Sequence, residues 1–181
     1  MKSEVIFKIY GAYNWYEEAE TEINVKNQYT PKVIKHLVGQ VENRMKKLFS
    51  NQLPKIRYNR LRATAGSFLL DGIKKRIQDS NAIIFDITGF NPNVMFELGI
   101  AIQAAHENNN SAKVYIICQG KNFAEAKIPS DLHGYYISLY EIKNNKVEIH
   151  DSNSLAMRLL SDIADYINEF YFEDFSDVKK Y

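Results

Sequence analysis

The sequence predicts a mostly parallel α/β fold of the flavodoxin or Rossmann type, with about five strands and helices on both faces of the sheet. Strand-like and helix-like segments alternate along the chain, which is the pattern of a parallel sheet. Two strand-like segments, residues 81–86 and Lys113–Gln119, are apolar almost throughout, as in strands covered on both faces. No internal repeat and no Pro/Gly/Ser-rich linker divides the 181 residues, so a single domain over residues 1–181 is predicted.

The first half of the chain contributes two predicted strands and two predicted helices. Apolar and polar residues alternate over residues 4–13, which predicts the first strand. Thr30 and Pro31 supply the N-cap and the first residue of a helix whose apolar residues keep helical spacing and which Pro54 ends. A basic extended segment over residues 55–63 and a helix over residues 67–78 follow.

The second half of the chain continues the alternation. After the strand over residues 81–86, Asn91 and Pro92 are predicted to open a helix that runs to His106. The remaining predicted elements are the strand Lys113–Gln119, a hairpin of residues 135–141 and 146–150, and an amphipathic helix over residues 155–170.

Three strand ends mark where function is expected. Ligands of open α/β sheets bind in the crevice beyond the carboxyl ends of the strands. We therefore expect functional residues directly after Tyr10, Asp86 and Gln119.

The composition is that of an ordinary globular domain and excludes several classes of protein. Hydrophobic residues make up 45% of the chain, and 23 Lys+Arg stand against 22 Asp+Glu. No apolar run approaches the ~20 residues that span a bilayer, and no signal peptide is found, so a cytoplasmic protein without membrane association is predicted. The single cysteine, Cys118, excludes an internal disulfide, and the four histidines lack metal-ligand spacing, so neither a metal nor a cofactor is expected.

Charge is distributed unevenly along the chain. Twelve Lys and Arg lie between Lys32 and Arg76 against two acids, whereas residues 162–177 hold six acids and no base. The basic half could attract phosphates, and the two halves could attract each other or a second copy of the chain, although solvated helix faces are the alternative. The aromatic residues 170–175 also favour a homo-oligomer.

Residues 55–62 interleave basic side chains with Tyr58, a pattern found in nucleic-acid-binding proteins. A basic edge strand, or a pocket wall for substrate phosphates, explains the pattern as well. Nucleic acid is therefore not expected as a partner.

One segment, residues 85–101, holds the residues best suited to chemistry. Asp86 ends the most buried strand, and Thr88 with Gly89 permits a tight turn close to a ligand, with Gly89 at positive φ. Asn91 then caps the next helix. The first N–H groups of that helix would face the crevice, where they could receive a phosphate or a hydroxyl group.

Glu97 is the unusual residue of this helix because apolar residues surround it. Much of the helix is expected to be buried, and burial raises the pKa of a carboxyl group. Asp86 could lie nearby and push the two pKa values further apart. Gly99 suggests that a strand or a ligand approaches the helix backbone. The alternative is that Glu97 pairs with a buried cation such as Arg62 and only stabilises the fold.

The same residues resemble a known family. Asp86-Ile87-Thr88 and the run Asn91-Pro92-Asn93-Val94-Met95-Phe96-Glu97-Leu98-Gly99-Ile100-Ala101 look like the signature of the nucleoside 2-deoxyribosyltransferase-like family. That family is related to TIR-like NAD-cleaving domains, some of which share an Asn-Val-x-Phe-Glu-Leu-Gly run. The resemblance is most specific over residues 82–105, and residues 128–140 resemble a later element of such proteins.

The resemblance implies cleavage of an N-glycosidic bond between a ribose-type sugar and a base or nicotinamide, by hydrolysis or by transfer. It makes Glu97 the catalytic carboxylate, and Asp86 the residue that binds or protonates the leaving base. Asn91 would lie near the sugar. The substrate-binding residues that it implies are Tyr10, Gly11, Thr88, Gly89, Asn91 and Asn93.

The resemblance implies no cofactor, and NAD enters only as a candidate substrate. The kinship with TIR-like domains further implies a toxic effector in antiviral defence, active as a homo-oligomer and dependent on partner proteins. The competing hypothesis is a non-catalytic sensor, in which the same crevice binds a nucleotide signal and Glu97 holds a ribose hydroxyl.

Overall fold

Strands and helices alternate along the chain, as the sequence predicts. The computed structural model describes residues 6–13, 30–48, 54–61, 69–107, 113–144 and 146–176. The strands are β1 (Ile6–Ala12), β2 (Lys55–Arg60), β3 (Ala82–Asp86), β4 (Lys113–Gln119), β5 (Ile137–Lys143) and β6 (Lys146–Ile149). The helices are α1 (Thr30–Leu48), α2 (Leu69–Gln78), α3 (Pro92–Glu107), α4 (Phe123–Ala126) and α5 (Ser152–Ser176). Single 3₁₀ turns over Thr88–Phe90 and Ser130–Leu132 follow β3 and α4.

The strands form one six-stranded sheet in the order β2-β1-β3-β4-β5-β6. Strands β1 to β5 run parallel, and β6 pairs antiparallel with β5. The parallel order 2-1-3-4-5 is that of flavodoxin-like folds, so the predicted fold class is confirmed. The sheet has more strands than predicted because both strands of the predicted hairpin join it.

The direction in which the chain crosses the sheet changes at β1. The chain passes from β1 to β2 on one side and then crosses to β3 on the other. The connections that leave β1 and β3 lead to helices on opposite faces of the sheet, α1 and α3. Open α/β sheets bind ligands at such a point, beyond the carboxyl ends of the two strands.

Two hydrophobic clusters cover the two faces of the sheet. Helices α1 and α5 pack on one face, and α2 and α3 pack on the other. Side chains alternate along β3, so Ile84 faces α1 and α5, whereas Ile83 and Phe85 face α2 and α3. By the same alternation, Asp86 points toward the α1–α5 face.

Helix α3 is less buried than its apolar sequence predicts. Val94, Leu98 and Ala101 are buried, but 56% of Phe96 is exposed. The helix forms an outer layer, so the described residues cover only the stripe that faces the sheet. Gly99 lies on the uncovered side, where no described atom comes within 4 Å of the position of an added Cβ. The expected close approach to Gly99 is therefore wrong for the described part of the chain.

Strand β2 forms one edge of the sheet, which agrees with the basic edge strand considered from the sequence. Lys55 and Arg57 are exposed, whereas Ile56 and Tyr58 are half-buried. Exposed charges along an edge strand oppose pairing with another chain.

Two further sequence-based expectations concern the periphery of the fold. The aromatic residues 170–175 lie in the last turns of α5, but their side chains, like the whole of Arg62, lie outside the described residues. No described helix combines the length and the apolar character needed to traverse a bilayer.

Candidate active site

A network of hydrogen bonds fixes the turn that leaves β3. Asp86 is 3% exposed, and its Oδ1 accepts hydrogen bonds from the Thr88 backbone N–H at 3.0 Å and from the Thr88 hydroxyl at 2.5 Å. Its Oδ2 accepts a hydrogen bond from the Tyr140 hydroxyl at 2.8 Å. A buried carboxyl group whose two oxygens are engaged in this way stabilises the turn. This geometry supports a positioning role for Asp86 more than contact with a leaving base.

Thr88 extends the network to β4. Its hydroxyl oxygen accepts a hydrogen bond from the Gln119 backbone N–H at 2.9 Å and lies 3.3 Å from the Tyr140 hydroxyl oxygen. The carboxyl ends of β3, β4 and β5 are thereby joined. The side chain of Gln119 adds a buried Oε1 atom that has no hydrogen-bond partner among the described residues. Buried acceptors are rarely left unpaired, so this oxygen is a point at which a ligand donor could bind.

The turn itself contains two residues with positive φ. Gly89 has φ 75°, as predicted from its place in the sequence, and Phe90 has φ 50°. The Phe90 N–H donates to the carbonyl oxygen of Ile87 at 2.9 Å and closes the turn. A bulky residue seldom adopts this conformation, and such strain is often found near functional sites. No sequence pattern pointed to the strain at Phe90.

Asn91 caps α3, as predicted. Its Oδ1 accepts hydrogen bonds from the N–H groups of Asn93 at 2.9 Å and Val94 at 3.4 Å. Pro92, the first residue of the helix, has no N–H group. The cap therefore takes up the N–H groups that were expected to receive a phosphate or a hydroxyl, and that expectation is wrong. Asn93 itself has an exposed side chain at the first turn.

Glu97 lies in the second turn of α3 and is half-buried. Burial raises the pKa of its carboxyl group to about 7, although the positive charge of Arg60 acts in the opposite direction. The predicted rise of the pKa is confirmed. The described part of the chain places no hydrogen-bond donor on the Glu97 carboxyl group.

The predicted coupling between Glu97 and Asp86 is wrong. Asp86 makes no contribution to the pKa shift of Glu97, which arises from burial and is opposed by Arg60. The two carboxyl groups have different surroundings, because Asp86 is held by Thr88 and Tyr140 in the turn after β3, whereas Glu97 lies in the second turn of α3.

A second group of side chains gathers at the carboxyl ends of β1 and β2. The guanidinium carbon of Arg60 lies 5.0 Å from the ring centroid of Tyr13. Burial raises the pKa of the Tyr58 hydroxyl and the neighbouring Tyr13 raises it further, whereas the charge of Arg60 lowers it. A Cβ on Gly11 would lie 2.6 Å from the Tyr58 hydroxyl oxygen. Gly11 is thus required by the packing of Tyr58, rather than by a contact with a ligand.

The structure separates the sequence-predicted residues into two groups. Asp86 and Thr88 belong to the hydrogen-bond network of the turn after β3. Tyr10 is half-buried and packs against the core on the α2–α3 side of the sheet, where Glu97 also lies.

Sequence reasoning missed the roles of Arg60, Tyr13 and Tyr140. Arg60 was noted only as one of several basic residues, and nothing in the local pattern distinguished it from its neighbours.

A metal centre finds no support in the described residues, where no group of three or more His, Cys, Asp or Glu side chains could hold an ion. Comparison with protein-family models gave no match, and a search of curated proteins gave none either. The resemblance to nucleoside 2-deoxyribosyltransferase-like proteins therefore rests on the residues that carry it.

Proposed function

We propose that this protein cleaves the N-glycosidic bond of a nucleotide-type substrate by hydrolysis or by transfer of the sugar, with Glu97 as the catalytic carboxylate. The candidate substrates are nucleosides, deoxynucleotides and NAD. One observation carries the proposal. The Glu97 carboxyl group is half-buried, has a pKa of about 7 and accepts no hydrogen bond from the described residues.

The reaction needs a carboxylate beside the anomeric carbon of the sugar. When the C1′–N bond breaks, its electron pair leaves with the base and positive charge builds on the sugar ring. The Glu97 carboxylate stabilises that charge or attacks C1′ to form a glycosyl ester. Water or the nitrogen of a second base then bonds to C1′ while the ester C1′–O bond, where one has formed, breaks and frees the Glu97 carboxylate. The proton that the water or the second base loses passes to this carboxylate. A pKa near 7 suits both steps, since each protonation state is then accessible at neutral pH.

The leaving group decides what else the site must supply. A neutral nucleobase leaves readily only when it gains a proton, and the two oxygens of Asp86 are already engaged by Thr88 and Tyr140. A cationic nicotinamide leaves as a neutral molecule and needs no proton. The geometry of Asp86 therefore fits a cationic leaving group most simply.

The proposal is tested by incubating the full chain with NAD, ATP, nucleosides and deoxynucleosides and measuring released base by chromatography. Glu97→Gln should abolish release because an amide neither attacks C1′ nor stabilises the sugar cation as well. Glu107→Gln is the matched control, since it removes an exposed carboxylate from the last turn of the same helix. Base release that persists in Glu97→Gln would contradict the proposed role.

A nucleotide sensor is the second candidate. It is favoured by Asp86, the second carboxyl group that the proposed reaction would use, because both oxygens of this buried side chain are already engaged by Thr88 and Tyr140. In a sensor, Glu97 binds a ribose hydroxyl, so Glu97→Gln weakens binding and no substrate is turned over. In an enzyme, the same variant retains the ligand and loses turnover.

The biological setting is also a proposal, and it follows from the resemblance to TIR-like domains. We propose a toxic effector in antiviral defence, acting in the cytoplasm as a homo-oligomer with partner proteins. Co-expression of the protein with its genomic neighbours, with Glu97→Gln as the control, tests whether NAD or nucleotide pools fall during phage infection.

A further inference from the structure

Gln119 is a polar residue at the carboxyl edge of the sheet that the proposed reaction does not yet use. It is the last residue of β4, and its side-chain Oε1 atom is buried without a hydrogen-bond partner among the described residues. Its backbone N–H donates to the Thr88 hydroxyl oxygen at 2.9 Å. Thr88 lies in the turn between β3 and α3, so Gln119 is attached to the turn that leads into the helix of Glu97.

The backbone on both sides of Gln119 is fixed by contacts with its neighbours. Gln119 pairs in register with Tyr140 of β5. The next residue, Gly120, donates its N–H to the Tyr140 carbonyl oxygen at 2.9 Å. Gly120 also lies so close to α4 that a Cβ on it would come within 2.9 Å of the Cβ of Ala126. A shift of the strand end that brought Oε1 to another partner would break these contacts.

A buried acceptor without a partner gives Gln119 the property of a specificity-determining residue. The unpaired oxygen costs free energy in the ligand-free protein, and a bound molecule with an N–H donor removes this cost. A molecule that presents an acceptor at the same place leaves two oxygens facing each other without water. Such a molecule is rejected strongly.

The placement of Gln119 relative to Glu97 indicates which part of an N-glycoside it meets. Cys118 belongs to the core between the sheet and helices α2 and α3, so the side chain of the next residue, Gln119, points to the other face of the sheet. Glu97 lies on α3, and helical side chains lean toward the start of their helix, which here follows the carboxyl end of β3. The two side chains therefore approach the crevice from opposite faces of the sheet.

This arrangement matches the two halves of the bond that the proposed reaction breaks. Groups that act on a glycosidic bond flank it, one beside the sugar carbon and one beside the leaving group. With the Glu97 carboxylate at C1′, the leaving group lies on the opposite side of C1′, toward Gln119. Nucleobases and nicotinamide carry planar N–H donors, whereas the sugar carries none.

We propose that Gln119 Oε1 accepts a hydrogen bond from an N–H group of the leaving base. The protein then acts on substrates whose leaving group carries an amino or carboxamide group in preference to their oxo or carboxylate counterparts. This inference rests on the proposed function of Glu97 and names the class of leaving group at the same site. Adenine, cytosine and nicotinamide supply such an N–H, whereas hypoxanthine, uracil and nicotinic acid present an oxygen in its place.

The first test compares substrates that differ only in this group. NAD is compared with nicotinic acid adenine dinucleotide, adenosine with inosine, and deoxycytidine with deoxyuridine, by kcat/KM for base release. The pair that shows turnover identifies which source of the N–H the site accepts. We expect the member with the amino or carboxamide group to be preferred, and Gln119→Met to lower that preference by at least about 10-fold.

Gln103→Met is the matched control. Gln103 is an exposed residue of α3 whose Nε2 donates to Glu107 Oε1 at 2.6 Å, and the change removes the same amide. It should leave every preference unchanged. An unchanged preference in Gln119→Met would overturn the inference. A change in Gln119→Met that follows the sugar, seen as an altered ratio between ribonucleosides and 2′-deoxynucleosides with the same base, would overturn it as well.

A stability measurement separates recognition of a ligand from a structural role of Gln119. Because Met removes a buried acceptor that has no partner, Gln119→Met should not lower the midpoint of thermal unfolding of the ligand-free protein. Gln119→Asn keeps the amide but withdraws it by one methylene group, and it takes the place of Gln119→Met in the other tests if the latter does not fold. A fall of more than about 4 °C in both variants would mean that the amide is bonded within the free protein, and it would overturn the inference.

A binding measurement separates failure of this inference from failure of the proposed function. Nicotinamide, nicotinic acid, adenine and hypoxanthine are titrated into wild type, Gln119→Met and Glu97→Gln and followed by saturation-transfer NMR. Binding of nicotinamide or adenine that Gln119→Met loses and Glu97→Gln keeps supports the inference even if no substrate is turned over. Base release without a preference, together with binding that Gln119→Met does not change, leaves the proposed function standing and overturns the inference.

Discussion

The hydroxyl group of Tyr140 donates a hydrogen bond of 2.8 Å to Oδ2 of Asp86, a residue 54 positions earlier in the chain. The bond reaches from β5 to the end of β3, across the intervening strand β4. Because α3 begins just beyond the turn that Asp86 stabilises, the placement of Glu97 depends in part on a tyrosine from a distant part of the sequence.

Loss of this bond should destabilise the fold. Tyr140→Phe keeps the buried ring and removes the donor from a buried carboxyl oxygen, so we expect the free energy of unfolding to fall by about 1–3 kcal/mol. Urea unfolding followed by circular dichroism measures the change. Tyr135→Phe, at a residue that is 37% exposed, serves as the control and should have little effect. Equally small changes in the free energy of unfolding of the two variants would argue against the hydrogen bond between Tyr140 and Asp86.

The stability of the protein should depend on pH through Glu97. The carboxyl group ionises near 4.5 when it is solvated and near 7 in the folded state. Between these values the folded state binds more protons than the unfolded state, so the stabilising contribution is fully present below pH 4.5 and is lost as the pH rises through 7. Glu97→Gln should therefore gain stability relative to wild type as the pH rises over this range. A difference between the two unfolding free energies that stays constant with pH would contradict the raised pKa.

Activity should also depend on the ionisation of Glu97, but it should rise with pH, whereas the stabilising contribution of Glu97 falls. In the proposed reaction the carboxylate form of Glu97 is the reactive one, so we expect kcat/KM to rise with pH and to reach half of its plateau near pH 7. Arg60→Gln should move this midpoint to higher pH because the charge that lowers the pKa of Glu97 is gone, whereas Arg60→Lys should keep it close to that of wild type. A midpoint near 4.5 in wild type would show that Glu97 is not the titrating group.

Gly89 lies in the turn before α3 and Gly99 lies inside the helix, and alanine substitutions should affect stability in opposite directions at the two positions. Gly89 has φ 75°, so Gly89→Ala should lower the free energy of unfolding by about 1 kcal/mol or more. Gly99 lies inside α3 with no described atom near its Cβ position, so Gly99→Ala should raise the free energy of unfolding by nearly 1 kcal/mol. Thermal unfolding compares the two variants. Destabilisation by Gly99→Ala would mean that something does pack against this face.

Much of the fold could be predicted because the signals that define strands and helices are local. The apolar run of β3 and the Asn91-Pro92 start of α3 both lie within a few residues of the elements that they define. The order of the strands is not a local property. The basic residues 55–60 are compatible with an edge strand, but nothing in them indicates that this strand pairs with β1.

The same distinction explains what could be predicted of the candidate site. The cap at Asn91, the positive φ of Gly89 and the raised pKa of Glu97 depend on nearby residues or on burial, and all three are confirmed. The influence of Asp86 on Glu97 was predicted wrongly because the partner of Asp86, Tyr140, lies 54 positions further along the chain and no local pattern indicates it. The effect of the Arg60 charge on the pKa of Glu97 likewise depends on the placement of β2 beside β1, which a single sequence does not reveal.

Gly11 leaves the space that two neighbouring side chains occupy at the carboxyl end of β1. A Cβ at this position would come within 2.6 Å of the Tyr58 hydroxyl oxygen and 2.8 Å of Ile34 Cδ1. Any larger residue would have to displace these two side chains, which come from β2 and α1. The absence of one methyl group therefore lets side chains of an edge strand and of a helix meet beside β1.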